Sequence, residues 1–131
     1  MFKFKKAKIE KDILDHLSRN GYSVTEENRS LYVIRSKFLN LHYTYPTLEI
    51  MYFGKDEILI IAISCFNNIM LDKVRTIPMS EVENIILYKK FLYNKLTMKV
   101  NGKKKKYNIP KGLKMPKWHK DNFSILCNEL R

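Results

Sequence analysis

The side chains that most often carry out chemistry in proteins are scattered through this sequence. The three histidines, His16, His42 and His119, lie far apart, and none has a cysteine or carboxylate at the spacing of a metal site. His16 is predicted on a helix surface and His119 at a helix start among lysines. The acidic pairs at 26–27 and 56–57 fall in predicted loops and have no implied partner. We therefore expect no catalytic residue, metal or cofactor, and an enzyme is the least favoured class.

The cysteines and glycines agree with this expectation. Cys65 and Cys127 lack the spacing of a zinc knuckle or a redox pair, so we expect both to be buried thiols of a cytoplasmic protein. A chain with 4 glycines has neither a phosphate-binding glycine loop nor a nucleophile elbow.

The hydropathy pattern predicts no secretion signal and no transmembrane segment. The basic start of the chain leads into acidic residues rather than into an apolar run, which is not the pattern of a signal peptide. The longest apolar stretch, 58–66, has about half of the roughly 18 to 20 residues that a membrane-spanning helix needs.

The net charge of +12 comes from one contiguous third of the chain. Between Glu83 and Asp121 there are twelve lysines and no acidic residue, whereas the rest of the chain has 13 basic and 13 acidic residues. Drift in composition would enrich lysine throughout, so this segregation predicts a one-sided positive potential that attracts an anionic partner.

The run of four lysines at 103–106 is the most specific polar feature. It follows Asn101 and Gly102, the strongest short hairpin signal, so successive lysines should alternate between the two faces of a strand with their charges in solvent. The competing interpretation is a solvated edge strand, because lysines there prevent edge-to-edge aggregation. The neighbouring strand adds two lysines and favours binding. The candidate anion-binding residues are Lys95, Lys99, Lys103, Lys104, Lys105 and Lys106.

An aromatic cluster precedes the middle of the chain. His42, Tyr43, Tyr45, Tyr52 and Phe53 fall at predicted strand positions, where rings most often pack in a core. Tyr43 and Tyr45 are candidate contacts for a partner if they are exposed.

The 131 residues have the size of one domain, and a 45% hydrophobic composition predicts a folded chain. Apolar residues at helical spacing predict an N-terminal helix at 7–20, ended by Gly21. The spacing of Phe123, Leu126, Cys127 and Leu130 predicts a helix at the end of the chain. Strands are predicted at 31–35, 47–53, 57–66, 69–77, 83–89, 93–100 and 103–109. Pro46 confines the aromatic stretch 42–46 to a strand end, an edge or a bend.

The second half of the chain combines several features in a fixed order. A proline-marked strand start at 77–82 leads into 85–87, the strands flanking the 101–102 turn follow, and a final helix is entered through Trp118. On this pattern residues 65–131 resemble the bacterial pleckstrin-homology-like (PH-like) domains, small modules common in Gram-positive bacteria.

The resemblance implies a mainly β (α+β) fold, a curved antiparallel barrel of about seven strands capped at one open end by the C-terminal helix. The N-terminal helix is an addition to that pattern. One domain is expected over 1–131, with the barrel and its closing helix from about 31 to 131. The expected capping residues are Trp118, Phe123, Leu126 and Leu130.

These observations predict a non-catalytic binding module that presents a lysine-rich hairpin to an anionic surface, either an acidic protein or membrane headgroups. The expected location is the cytoplasm, including the inner membrane surface. One alternative is nonspecific nucleic-acid binding, which is weakened because lysine outnumbers arginine and no nucleic-acid motif is present. Another is a structural, self-assembling domain that forms a homo-oligomer.

Overall fold

The structure is a computed structural model that describes residues 6–22, 24, 29–35, 48–63, 69–112 and 115–130. It contains two helices, seven strands and a 3-10 turn at Met79–Glu81. The helices are α1 (Lys6–Arg19) and α2 (Lys117–Glu129). The strands are β1 (Arg29–Arg35), β2 (Leu48–Phe53), β3 (Glu57–Ile63), β4 (Ile69–Pro78), β5 (Val82–Tyr88), β6 (Asn94–Val100) and β7 (Lys103–Ile109).

All seven strands belong to one antiparallel sheet with the order β4-β3-β2-β1-β7-β6-β5. The sheet is open, and its edge strands in the described part of the chain are β4 and β5. The prediction of a mainly β protein of about seven strands with a helix near each end is confirmed, whereas the predicted barrel is not closed in the described residues, because β4 and β5 do not pair with each other. The stretch 42–46, predicted as a strand end, an edge or a bend, lies outside the described residues.

The strands β1, β2 and β3 are buried on both faces. One face belongs to a core cluster that contains Leu31, Val33 and Met51, and the opposite face to a second cluster with Tyr32 and Ile50. This explains why these strands read as nearly continuous apolar runs instead of alternating sequences.

Helix α1 covers the second of these faces. Ile13 and Leu17 are fully buried there against Tyr52 and Ile61. The helix ends where predicted, because Gly21 adopts a φ of 89° and the Tyr22 amide turns back to donate to the Leu17 carbonyl at 3.0 Å. The N-terminal helix is therefore part of the folded core, and it closes a sheet face that water would otherwise reach.

Helix α2 packs on the first face and also completes the hydrogen bonding of β1. Only Ile34 and Arg35 of β1 pair with β7 in the described residues. Further back along the same strand edge, the Tyr32 amide donates to His119 Nδ1 at 3.1 Å and Asn122 Nδ2 donates to the Ser30 carbonyl at 3.0 Å. Two side chains of α2 thus replace a strand partner for buried backbone groups.

The four expected capping residues divide between the two clusters. Phe123 and Leu126 are buried in the first cluster, and Leu130 packs against it. Trp118 instead belongs to the second cluster, where its ring lies 5.3 Å from the ring of Tyr32. The expectation that all four close one end together is wrong for Trp118, because the first turn of α2 reaches the α1 side of the sheet.

Two further contacts fix the sheet. Gly54 in the β2–β3 turn donates its amide to the Glu57 carbonyl at 2.9 Å, and a Cβ at this position would lie 2.8 Å from that oxygen, so the turn requires glycine. The buried Glu49 of β2 accepts a hydrogen bond at 2.9 Å from Arg75 of β4. This ion pair supplies a counter-charge for a carboxylate removed from water.

His119 lies in the first turn of α2, as predicted. It is buried, its Nδ1 accepts from Tyr32, and its Nε2 lies 2.8 Å from the Pro110 carbonyl. An acceptor at one ring nitrogen and a donor at the other define a neutral imidazole. Burial lowers the pKa of His119, and the nearby Lys120 lowers it as well, against an opposing effect of the hydrogen bond to Pro110.

Folding stability should consequently fall in mild acid. Below the ordinary histidine pKa of about 6.5, the unfolded chain binds a proton that folded His119 does not, so the free energy of unfolding decreases as pH drops. The limiting slope for one proton is about 1.4 kcal/mol per pH unit. We expect this decrease in urea unfolding between about pH 7.5 and 5.5, above the main carboxylate titrations.

The His119→Gln variant offers one acceptor and one donor without titrating, so it should be less pH-dependent than wild type over that interval. The matched His16→Gln variant on α1 controls for the loss of one histidine from the chain. Equal pH dependence of wild type and His119→Gln would contradict the role assigned to the neutral ring.

Candidate anion-binding face

The strands β5, β6 and β7 have one buried face only. Leu96 and Met98 of β6 and Tyr107 of β7 point into the first core cluster, and the residues between them point away from it. This is the alternation expected of a sheet with one solvated side. The predicted meander is confirmed, with its turn at the predicted Asn101 and Gly102, whose φ values are 53° and 81°.

The hairpin turn is tied to the neighbouring 3-10 segment. The Asn101 amide donates to the Glu81 carbonyl at 3.0 Å, and Asn101 Nδ2 donates to Glu81 Oε1 at 3.0 Å. These bonds hold the lysine-bearing end of β6 and β7 against the start of β5.

The register between β6 and β7 places four of the six candidate lysines on the solvated face. Lys99 lies directly opposite Lys104, Lys106 lies opposite Thr97, and Lys95 lies opposite Asn108. Lys103 and Lys105 lie on the other face, beyond the buried part of the strand, and are exposed. We call the set of Lys95, Lys99, Lys104 and Lys106 the lysine face.

The lysines of this face differ in solvent exposure and in hydrogen bonding. Lys95 is half-buried and donates to Asn108 Oδ1. Lys99, Lys104 and Lys106 are exposed, and none of them forms a salt bridge among the residues that the structure describes. Glu83 of β5 is in register with Lys99 but does not form an ion pair with it. Three ammonium groups of the face are therefore available to an external anion.

The position of the lysine hairpin in the sheet can be compared with the alternative interpretation that its lysines protect an edge strand from aggregation. The edge strands are β4 and β5, and β7 lies between β6 and β1. In the described residues, however, β7 pairs with β1 only at Tyr107 and Asn108, so this pairing does not cover Lys103–Lys106 and edge protection remains the competing interpretation. Opposing Lys99 to Lys104 across the strand pair also costs stability, because like charges directly opposite each other repel.

An exposed apolar loop was missed in the sequence analysis. Phe91 is 89% exposed and Leu92 is 71% exposed in the β5–β6 connection, and Tyr93, predicted as the first residue of a strand, precedes β6 and is exposed. The available signal was an apolar triplet with lysines on both sides, Lys-Lys-Phe-Leu-Tyr-Asn-Lys at 89–95, placed between two strands. We call residues 89–93 the apolar loop.

The other candidate residues do not join this face. Tyr52 and Phe53 are buried in the core, as predicted. The remaining members of the aromatic cluster, Tyr43 and Tyr45 with His42, lie outside the described residues, as do Cys65 and the acidic pair at 26–27. Cys127 was expected to be buried and is half-buried, because it lies at the margin of the first core cluster.

The described residues contain no group of three metal-binding side chains. None of the helices in that part of the chain has the length and apolar content needed to span a membrane.

Comparison with protein-family models, with curated proteins and with solved structures found no match to the chain.

The opposition of Lys99 and Lys104 generates a stability prediction. Lys104→Glu should raise the free energy of unfolding by about 0.2–1 kcal/mol at low salt, because it replaces a repulsive cross-strand pair by an attractive one. Lys104→Gln should give a smaller gain, since it removes the repulsion alone. Urea unfolding at low and high ionic strength measures both effects, and salt should shrink them. A Lys104→Glu variant no more stable than wild type would contradict the register.

Proposed function

We propose that this protein is a non-catalytic binding module of the PH-like type whose lysine-rich hairpin docks on an anionic surface. The binding residues are Lys99, Lys104 and Lys106 on the lysine face, Lys95 beside them, and Lys103 and Lys105 at the end of the hairpin. The surface it binds is either the headgroup layer of an anionic membrane at the cytoplasmic side or an acidic protein.

The observation that carries this proposal is the concentration of exposed, unneutralised ammonium groups on a rigid strand pair. The hairpin has a defined turn, a register without irregularity and a buried apolar side, so the backbone positions that carry the lysines are fixed relative to one another. A charge cluster that costs folding stability and lacks internal partners is expected at a functional surface. Positively charged faces of this kind speed association with anionic partners.

The PH-like assignment is supported by the arrangement of the elements. Seven antiparallel strands precede a closing helix, the meander β5–β7 ends at that helix, and the helix packs on the core between the two halves of the sheet. Helix α1 is then an addition that seals the outer face of β1–β3.

Nucleic acid is the weaker partner on chemical grounds. Lysine offers a point charge, whereas the guanidinium fork of arginine is better suited to bidentate contacts with phosphates and guanine. Binding to an oligonucleotide through these residues would be dominated by charge and strongly dependent on salt.

The proposal is tested with a variant in which Lys103, Lys104, Lys105 and Lys106 are changed to Gln. Binding is measured by co-sedimentation with phosphatidylglycerol-containing and neutral vesicles, and by retention on polyglutamate beads, at low and physiological salt. Each lysine near an anionic membrane contributes up to about 1 kcal/mol, so we expect the four changes to weaken binding at least about tenfold.

A control variant separates the site from the net charge. It carries three Lys→Gln changes and one Arg→Gln change at exposed positions on the two helices. The described interactions that it removes are the weak surface ion pair of Lys117 with Asp121, the exposed hydrogen bond of Arg19 to the Asp15 carbonyl and the charge of Lys120 near His119. Its net charge equals that of the hairpin variant, and it should bind like wild type. Equal loss of binding in both variants, or loss in neither, would refute the proposed site. The control positions are Lys11, Arg19, Lys117 and Lys120.

A further inference from the structure

The apolar loop exposes a cluster of side chains that a domain of this size normally buries. Phe91 and Leu92 extend into solvent, with Tyr93 beside them. Ile86 and Tyr88, on the neighbouring solvated side of β5, add apolar surface next to the loop. Contiguous exposed apolar groups of this kind mark a contact with a partner or a membrane.

Basic groups lie beside the three apolar residues, 91–93, at the end of this loop. Lys89 and Lys90 precede it and are exposed. Lys90 Nζ lies 5.7 Å from the centre of the Tyr88 ring, and Lys111 Nζ donates to the Lys90 carbonyl from the segment after β7. Tyr88 is in register with Lys95, so its ring lies on the same side of the sheet as the lysine face. The Lys90 ammonium group, which lies over that ring, is therefore on this side as well. The loop therefore combines an apolar end with a cationic base.

The loop and the hairpin turn lie at opposite ends of the same solvated side of the sheet. The β6–β7 turn follows Val100, whereas the apolar loop precedes Asn94 at the other end of β6. A seven-residue strand is roughly 20 Å long, so the lysine face spans the distance between them. A flat partner lying along the face would meet lysines at one end and the apolar loop at the other.

We propose that this partner is an anionic lipid bilayer and that the apolar loop inserts into its interface. Phe91 and Leu92 enter the boundary between headgroups and acyl chains, Tyr93 lies at the headgroup level, and Lys89 and Lys90 contact lipid phosphates. The inference rests on the proposed function, because it assigns the partner of the same face.

Charge complementarity and shape favour lipid over an acidic protein. The feature is a protruding tip of consecutive apolar side chains ringed by cations, and an anionic bilayer offers a penetrable apolar layer under a negative surface at any orientation. An acidic protein would need an apolar cleft of matching depth with carboxylates around its rim. Docking on an acidic protein is one of the outcomes that the vesicle and polyglutamate experiments distinguish.

The first measurement compares wild type with the Phe91→Ser/Leu92→Ser double variant on vesicles of phosphatidylcholine with and without phosphatidylglycerol. Both side chains are exposed, so the variant should keep the wild-type free energy of unfolding, which urea unfolding checks. We expect at least about tenfold weaker binding to the anionic vesicles, because two large apolar side chains no longer leave water.

The second measurement reports insertion directly. In a Phe91→Trp variant, anionic vesicles should shift the added indole emission to the blue, and lipids brominated in the acyl chain should quench it. The control is Lys55→Trp, since Lys55 lies in the β2–β3 turn near the Met79–Glu81 segment, away from the loop. Its emission should not change, and the buried Trp118 gives the same background in both variants.

The outcomes separate the inference from the proposed function. Weaker vesicle binding by the double variant together with quenching at position 91 supports insertion. Unchanged binding by the double variant, while the Lys103–106→Gln variant loses binding, overturns insertion and leaves the anion-binding hairpin intact. If the wild-type protein does not bind vesicles but binds polyglutamate, the bilayer is not its partner and an acidic protein is. Binding to neither surface overturns both proposals.

Discussion

The backbone of β1 must satisfy its hydrogen bonds on two edges while both of its faces are buried. One edge pairs with β2 along the strand, and the other meets β7 only at Ile34 and Arg35 in the described residues. His119 and Asn122 of α2 supply partners where β7 does not. Because buried peptide groups are costly when unpaired, this contact sets the position of α2 and links the two halves of the sheet.

The distribution of exposed groups follows from that arrangement. Once α1 seals the outer face of β1–β3 and α2 occupies the inner side, the solvated faces that remain include that of β5–β7. Those strands alternate between core and solvent residues, so every second position is open to charge. The lysine face and the apolar loop are located on the part of the sheet that the core leaves uncovered.

Local patterns predicted most of the fold from the sequence. The helix ending at Gly21, the meander around Asn101 and Gly102, and the alternation of Lys103–Lys106 depend on residues close together in the chain, and the structure confirms each of them. The burial of both faces of β1–β3 was harder to predict from the sequence, because an apolar run does not show which element covers each face.

The sequence could not predict features that depend on distant partners. His119 was predicted only as a helix-start residue, and its burial depends on hydrogen bonds with residues 32 and 110 of other elements. Glu49 shows no local sign of burial, and its cation comes from β4. The hairpin lysines were identified from the sequence because exposed charge needs no partner, whereas the exposure of Phe91 became evident only once the core was complete.

The most direct test of the account is to map which side of the protein meets an anionic bilayer. Amide signals of ¹⁵N-labelled protein would be recorded with small amounts of anionic bicelles that carry a spin label at the lipid headgroup. The account predicts the strongest attenuation at residues 86, 88–93, 95, 99, 104 and 106, with α1 and its contacts on β1–β3 unaffected. Attenuation centred on α1 or on the β4 edge would contradict it.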